Sequence, residues 1–226
     1  MSETRLITVD DGTALAVRVW VGSGPTLLLL HDLGCASVYW LPVIDRLQTL
    51  LPDAQLVVPD LRGHGESSCG KETSRKRLAK DVRKLCAALD IAHPVLVGHG
   101  WGADIALTAD VDPSAIVAIN PLLGRREADF EGDVCRPRDM QGASDAQTLE
   151  ACRIGVMQAK RIRWDRRSAP LLLITAEPAD ADGEGLAELM DAAEETLLWQ
   201  DGSRHLPLEA PAGIAALIAS WVEETA

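Results

Sequence analysis

Short apolar runs recur along this chain with helical patterns between them, and that alternation constrains the fold more than any other feature. Thr26–Leu30, Gln55–Val58, Val95–Val97, Ala115–Ile119, 170–175 and 196–199 carry little polar interruption. Runs of this kind suit strands covered on both faces. Between them, residues 37–51 space Trp40, Leu41, Ile44, Leu47 and Leu50 at helical intervals. Residues 73–90 do the same with Leu78, Val82, Leu85 and Leu89, and Trp101–Ala109, 184–193 and 209–224 read as further helices. The alternation predicts an α/β fold: a mostly parallel, twisted sheet with helices on both faces. Two leading runs, Arg5–Val9 and Ala14–Val21, flank Asp10-Asp11-Gly12-Thr13 and predict a hairpin. Residues 121–166 break the rhythm, and it resumes afterwards. The expectation is one core domain, 1–120 with 167–226, carrying an insertion at 121–166.

Composition narrows the function classes. The 226 residues hold 34 acidic and 22 basic side chains, a formal charge of −12. That balance argues against a general nucleic-acid binder, which needs an accessible basic surface. The charge is uneven: 71–84 and 153–167 are basic, whereas 176–195 holds eight acids and no Lys or Arg. Five widely spaced cysteines form no CxxC pair, so neither a metal centre nor a disulfide framework is expected. No apolar run is long enough to cross a bilayer. The opening MSETRLITVDDG lacks the basic and apolar blocks of a secretion signal, so the expected location is cytoplasmic.

The segment Val95-Leu-Val-Gly98-His99-Gly100-Trp101-Gly102-Ala103 carries the most chemistry. A buried strand enters a glycine-rich turn and a helix leaves it. Gly98, Gly100 and Ala103 formally satisfy the dinucleotide fingerprint G-x-G-x-x-G/A. The context is poor, because the next strand ends in Asn120 rather than an acidic ribose ligand. The alternative is a nucleophile elbow, G-x-S-x-G, with Gly98 and Gly102 as flanking glycines and Gly100 at the nucleophile's position.

Three other segments favour the elbow. His31-Asp32-Leu33-Gly34 resembles the HG-x-G turn of α/β-hydrolases, with Asp32 in place of a glycine. Asp60-Leu-Arg62-Gly-His64-Gly65-Glu-Ser67 resembles their D-x-R-G-x-G-x-S loop. Gly202-Ser-Arg-His205-Leu-Pro-Leu-Glu209 resembles the segment that carries the catalytic histidine. The four motifs occur in family order, and the chain is identified as similar to the α/β-hydrolase fold superfamily from about residue 5 to residue 224. The resemblance implies that His205 is the general base, that the backbone N–H groups of Leu33 and Trp101 form an oxyanion hole, and that 121–166 is a small cap. Trp101, Trp40, Trp164 and Met157 would line the pocket, though core packing explains each equally well. His31, His64 and His99 match mostly structural positions, and His93 reads as an exposed loop residue. No cofactor and no metal are implied. The partner expected is a small molecule, with neither nucleic acid nor membrane. The basic helix 71–84 could also dock an acidic acyl carrier protein, against the simpler reading of a solvated helix face.

The sequence departs from that pattern at the reacting residues. Gly100 has no side chain, so no acyl-enzyme can form there. The acid that should orient the histidine is displaced: Ala179 stands at its usual position, with Asp180 one residue later and Asn120 as a second candidate. Three readings follow. The first is non-hydrolytic lyase, cyclase or isomerase chemistry on a small carbonyl or ester-type substrate, with His205 as base. The second is a serine hydrolase whose serine has been replaced by glycine at position 100. The third is a binding module. Asp32 is a candidate substrate contact, an added acid or base, or a cap for backbone donors. Cys35 is either a surrogate nucleophile or a buried small hydrophobe.

Overall fold

The computed structural model describes residues 2–70, 72–123, 169–176, 183–200 and 205–225. Within them the apolar runs are strands of one eight-stranded sheet, ordered β1-β2-β4-β3-β5-β6-β7-β8. These are β1 (Glu3–Thr8), β2 (Ala14–Trp20), β3 (Thr26–Leu30), β4 (Gln55–Pro59), β5 (Val95–His99), β6 (Ala115–Ile119), β7 (Leu171–Ala176) and β8 (Glu195–Trp199). The predicted hairpin joins β1 to β2, and β2 also runs antiparallel to β4; every pair from β4 to β8 is parallel. A parallel strand needs a crossover to return to the same end, and described helices lie between β3 and β4, β4 and β5, β5 and β6, and β7 and β8.

Neighbouring residues on each strand feed opposite cores. Leu28 and Leu30 of β3 join Leu96, Ile116, Leu173 and the helices α2 (Arg75–Ala88) and α3 (Trp101–Thr108) on one face. Leu27 and Leu29 join Val95, Val97, Val117, Ile174 and the helices α1 (Leu41–Leu50) and α6 (Pro211–Thr225) on the other. Helix α4 (Gly183–Ala192) adds Leu186 and Leu189 to the first face.

Two helices begin differently from the prediction. Residues 37–40 form a 3-10 turn, Ser37–Trp40, before α1 starts. The closing helix is split into α5 (Leu206–Glu209) and α6, which restarts at Pro211. Proline has no N–H to continue a helix but suits a first turn, where that donor would be orphaned anyway. Of the insertion expected at 121–166, residues 124–166, with Met157 and Trp164, lie outside the described residues, as does Asp180.

The chain leaves β3 toward β4 and later returns to β5, so sequence neighbours lie on opposite sides of β3. That reversal is a topological switch point, where α/β sheets open a crevice beyond their strand ends. The register pairs Leu30 with Gly98. Asp32 and Gly100, each two residues further on, therefore leave adjacent strands side by side.

Candidate active site

The elbow geometry survives without a nucleophile. Gly100 has φ 55° and ψ −118°, between the last residue of β5 and the first of α3. Its N–H donates to Ile119 O at 2.9 Å, and its carbonyl accepts from Ala103 N at 3.0 Å. The flanking glycines are explained by packing. A Cβ on Gly98 would come within 2.5 Å of Ala103 Cα, and one on Gly102 within 2.6 Å of His31 O. They let α3 lie directly on β5 and on the exit of β3, a role that needs no pyrophosphate.

The third glycine has a different reason. A Cβ on Gly100 would overlap the carboxylate of Asp32. Asp32 Oδ1 accepts the Leu33 N–H at 2.7 Å and the Trp101 N–H at 2.6 Å. These are the donors that the resemblance assigns to the oxyanion hole, and both meet one oxygen of Asp32. Their acceptor is supplied by the chain itself. Asp32 is 4% exposed, and Oδ2 accepts no hydrogen bond from the described residues.

A buried scaffold holds the turn that carries Asp32. Leu61 N–H donates to His31 Nε2 at 2.9 Å, so His31 carries its proton on Nδ1 and donates it to Asp32 O at 2.7 Å. Gly34 N–H donates to His64 Nε2 at 3.1 Å, and His64 Nδ1 donates to Arg62 O at 3.0 Å. Burial lowers the pKa of His31, and burial with the neighbouring His31 lowers that of His64 to about 3. Both rings are neutral struts, the structural role the sequence suggested. Asp60 ties the two loops together, accepting Ser37 N–H at 2.6 Å and Glu66 N–H at 2.8 Å. Beneath it Arg62, wholly buried, pairs with Asp81 at 2.6 Å and Asp11 at 2.9 Å.

The remaining candidates are more scattered. His205 is half-buried and caps α5, where its carbonyl accepts Leu208 N–H at 2.9 Å. The helix it opens packs against the Ser37–Trp40 turn, which follows the Asp32 loop. Trp40 and Trp101 are both fully buried, in the cores on opposite faces of the sheet. Cys35 is buried as well, as a small core residue would be. His99 stacks on Tyr39 with ring centroids 5.3 Å apart, and exposed His93 bonds Asp112 O at 3.2 Å. Asn120 Oδ1 accepts Ala176 N–H at 2.8 Å, which ties the exits of β6 and β7 together.

Asp104 is the residue that sequence reasoning passed over. It is wholly buried in the first turn of α3 and accepts N–H groups from Leu122 at 2.9 Å and Leu123 at 3.0 Å. The available signal was its isolation, as the one charged residue in Trp101–Thr108.

Comparison with known proteins agrees with this geometry. A profile of the alpha/beta hydrolase fold matches residues 25–118. The solved structure of a hydrolase from Pseudomonas aeruginosa superposes with a TM-score of 0.78 at 19% identity, over 97% of this chain and 98% of its own. The chain has the α/β-hydrolase fold. Within that fold, a bottromycin epimerase superposes at TM-score 0.76 with 21% identity, over 97% of this chain and 99% of its own. An epoxide hydrolase from Vigna radiata does so at 0.74 with 15% identity, over 99% and 98%. Among curated sequences, the magnesium-chelatase 30 kDa subunit of Rhodobacter capsulatus is 36% identical over 116 residues, 48% of this chain. That match spans only 37% of the relative's own length.

Proposed function

We propose that this chain is an enzyme whose reactive group is the Asp32 carboxylate, and that it hydrolyses small molecules bearing an electrophilic saturated carbon, such as an epoxide or alkyl halide. The observation that carries the reading is the pairing of Asp32 Oδ1 with both the Leu33 and Trp101 N–H groups, directly over Gly100. Two donors on Oδ1 hold the carboxylate in place and leave Oδ2 as the oxygen that could form an ester, with Oδ1 then its carbonyl oxygen.

In the first step Oδ2 attacks the saturated carbon. The new C–O bond displaces the epoxide oxygen or the halide, which leaves with its electron pair. In the second step water, giving its proton to His205, attacks Asp32 Cγ. The negative charge then gathers on Oδ1, where the two N–H groups already point. On collapse the departing alkoxide takes the proton held by His205, and the Asp32 acid returns to carboxylate by giving its proton to the epoxide-derived alkoxide or, after halide loss, to solvent. The net reaction consumes one water and gives an alcohol with the protonated leaving group. This keeps His205 as base and Leu33 and Trp101 as oxyanion donors, and places the oxyanion on the enzyme's own ester. The superposition on an epoxide hydrolase is a precedent for such chemistry on the fold.

A second reading retains the lyase, cyclase or isomerase chemistry, with Asp32 Oδ2 accepting a proton beside a substrate carbonyl. It is favoured by the absence of any hydrogen bond from described residues to Oδ2 and by the epimerase of the same fold. An inactivated serine hydrolase fits less well, because a serine at position 100 would compete with Asp32 for one space. An acidic carrier protein on α2 would have exposed Lys76 and Lys80 to meet, while other cations of the helix are engaged. Arg75, Arg77, Arg83 and Lys84 are engaged by Asp104, by Asp11 and Asp81, by Asp110 and by Asp10.

The test is intact-protein mass spectrometry of His205→Gln after exposure to styrene oxide and 1-bromobutane. An adduct mapping to Asp32, absent in Asp32→Asn, supports the nucleophile. No adduct, together with Asp32-dependent deuterium exchange into enolisable ketones, favours the proton-transfer reading. No effect of either substitution in any assay leaves only the binding module.

A further inference from the structure

We propose that Asp104 is a positioning residue of the candidate site: its ionised carboxylate holds the loop 120–123 at the exit of β6 against the elbow helix, and its protonation releases that hold.

The loop is built against local preference. Asn120 and Leu123 have φ values of 44° and 53°, a left-handed conformation that leucine in particular adopts only when its surroundings impose it. Two side chains impose it here. Asn120 Oδ1 takes the Ala176 N–H on the β7 side. On the elbow side Asp104 Oδ1 takes the N–H of both Leu122 and Leu123, and Leu123 N–H also lies 3.1 Å from Oδ2. The loop follows Ile119, whose carbonyl accepts the Gly100 N–H. Asp104 is thus a strut between the residue over which Asp32 sits and the loop that walls the next strand's end.

The groups facing this carboxylate act in opposite directions. Arg75 Nη1 from α2 lies 3.9 Å from Oδ2, and the N-terminal turn of α3 adds partial positive charge. Complete burial and the Asp32 carboxylate oppose ionisation. Burial dominates, and the Asp104 pKa is raised to about 6. A neutral acid is a poorer acceptor for two N–H donors than a carboxylate, so the strut loosens at mildly acidic pH while the rest of the fold persists. The geometry, with one buried carboxylate devoted to two backbone donors in a strained loop, is what singles it out.

The amide signals of Leu122 and Leu123 test this without any substrate, so the outcome is independent of the chemistry at Asp32. In the wild-type chain both should titrate together between pH 8 and 5, with a midpoint near 6. Their protection against hydrogen exchange, corrected for intrinsic rates, should fall at least tenfold across that range. Arg75→Met removes the facing cation and should move the midpoint to higher pH. Asp104→Asn should abolish the titration. Signals that stay constant from pH 8 to 5 in the wild type, or a midpoint that ignores Arg75→Met, would overturn the proposal, and neither measurement depends on Asp104→Asn folding.

Discussion

Residues 32 and 100 must be considered as a pair. Gly100→Ser alone places a side chain into the Asp32 carboxylate, so overpacking should destabilise the fold by about 1–3 kcal/mol in urea unfolding. It should also gain no labelling by a fluorophosphonate probe. Restoring both positions, Asp32→Gly with Gly100→Ser, frees the two N–H groups and should produce labelling at residue 100. Labelling of the single variant would show that Asp32 does not fill the site. Gly102→Ala is expected to be worse than either, because its Cβ meets the backbone of Leu30 and His31, which has no rotamer to yield. Loss of soluble, folded protein is the expected outcome, checked by circular dichroism. The sequence made both unusual residues visible and could not join them, since 68 positions separate two motifs that the β3–β5 register brings together.

At the scale of elements, helix α2 is fastened to the β1–β2 hairpin turn by charge, and its arginines face inward more than its basic composition suggested. Arg62 is fully buried between Asp81 of α2 and Asp11 of the turn, and Arg77 reaches the same two acids. Removing one partner of a buried pair leaves the other charge uncompensated, so Asp81→Asn should cost about 3–5 kcal/mol. Asp11 keeps about a third of its side-chain exposure, and Asp11→Asn should cost about 1 kcal/mol or less, since solvent screens what remains. Comparing the two urea midpoints tests the ranking; equal losses would mean that the network is not centred on Asp81. Helical spacing placed this helix correctly, and the motif around Arg62 was legible. Which acids answer that arginine depends on packing between segments that local pattern does not relate.

At the scale of the whole molecule, three buried groups among the described residues, His31, His64 and Asp104, shape the response to mild acid. His31 and His64 have folded-state pKa values below the ordinary 6.5, so the unfolded chain binds their protons first and stability falls as pH drops through 6.5. Asp104 acts in the opposite sense. Its folded pKa of about 6 exceeds 3.8, so the folded chain binds this proton first, and its contribution is present at low pH and lost as pH rises through 6. Between pH 4 and 6 it offsets one of the histidines. Asp104→Asn should therefore lose stability more steeply with acid than the wild type, by about 1.4 kcal/mol per pH unit in this window. Parallel slopes in urea titrations at pH 4.5, 5.25 and 6 would show that Asp104 does not titrate there. By itself the sequence determined the fold, because apolar run length and helical spacing decide which segments can be strands buried on both faces. It also determined the identity of the residues at the elbow, at the turn after β3 and before α5. The tertiary structure alone decided that the Leu33 and Trp101 N–H groups hold a carboxylate of the same chain. Side-chain contacts across adjacent parallel strands follow from register and crossover order, and neither is written in the local pattern of residues.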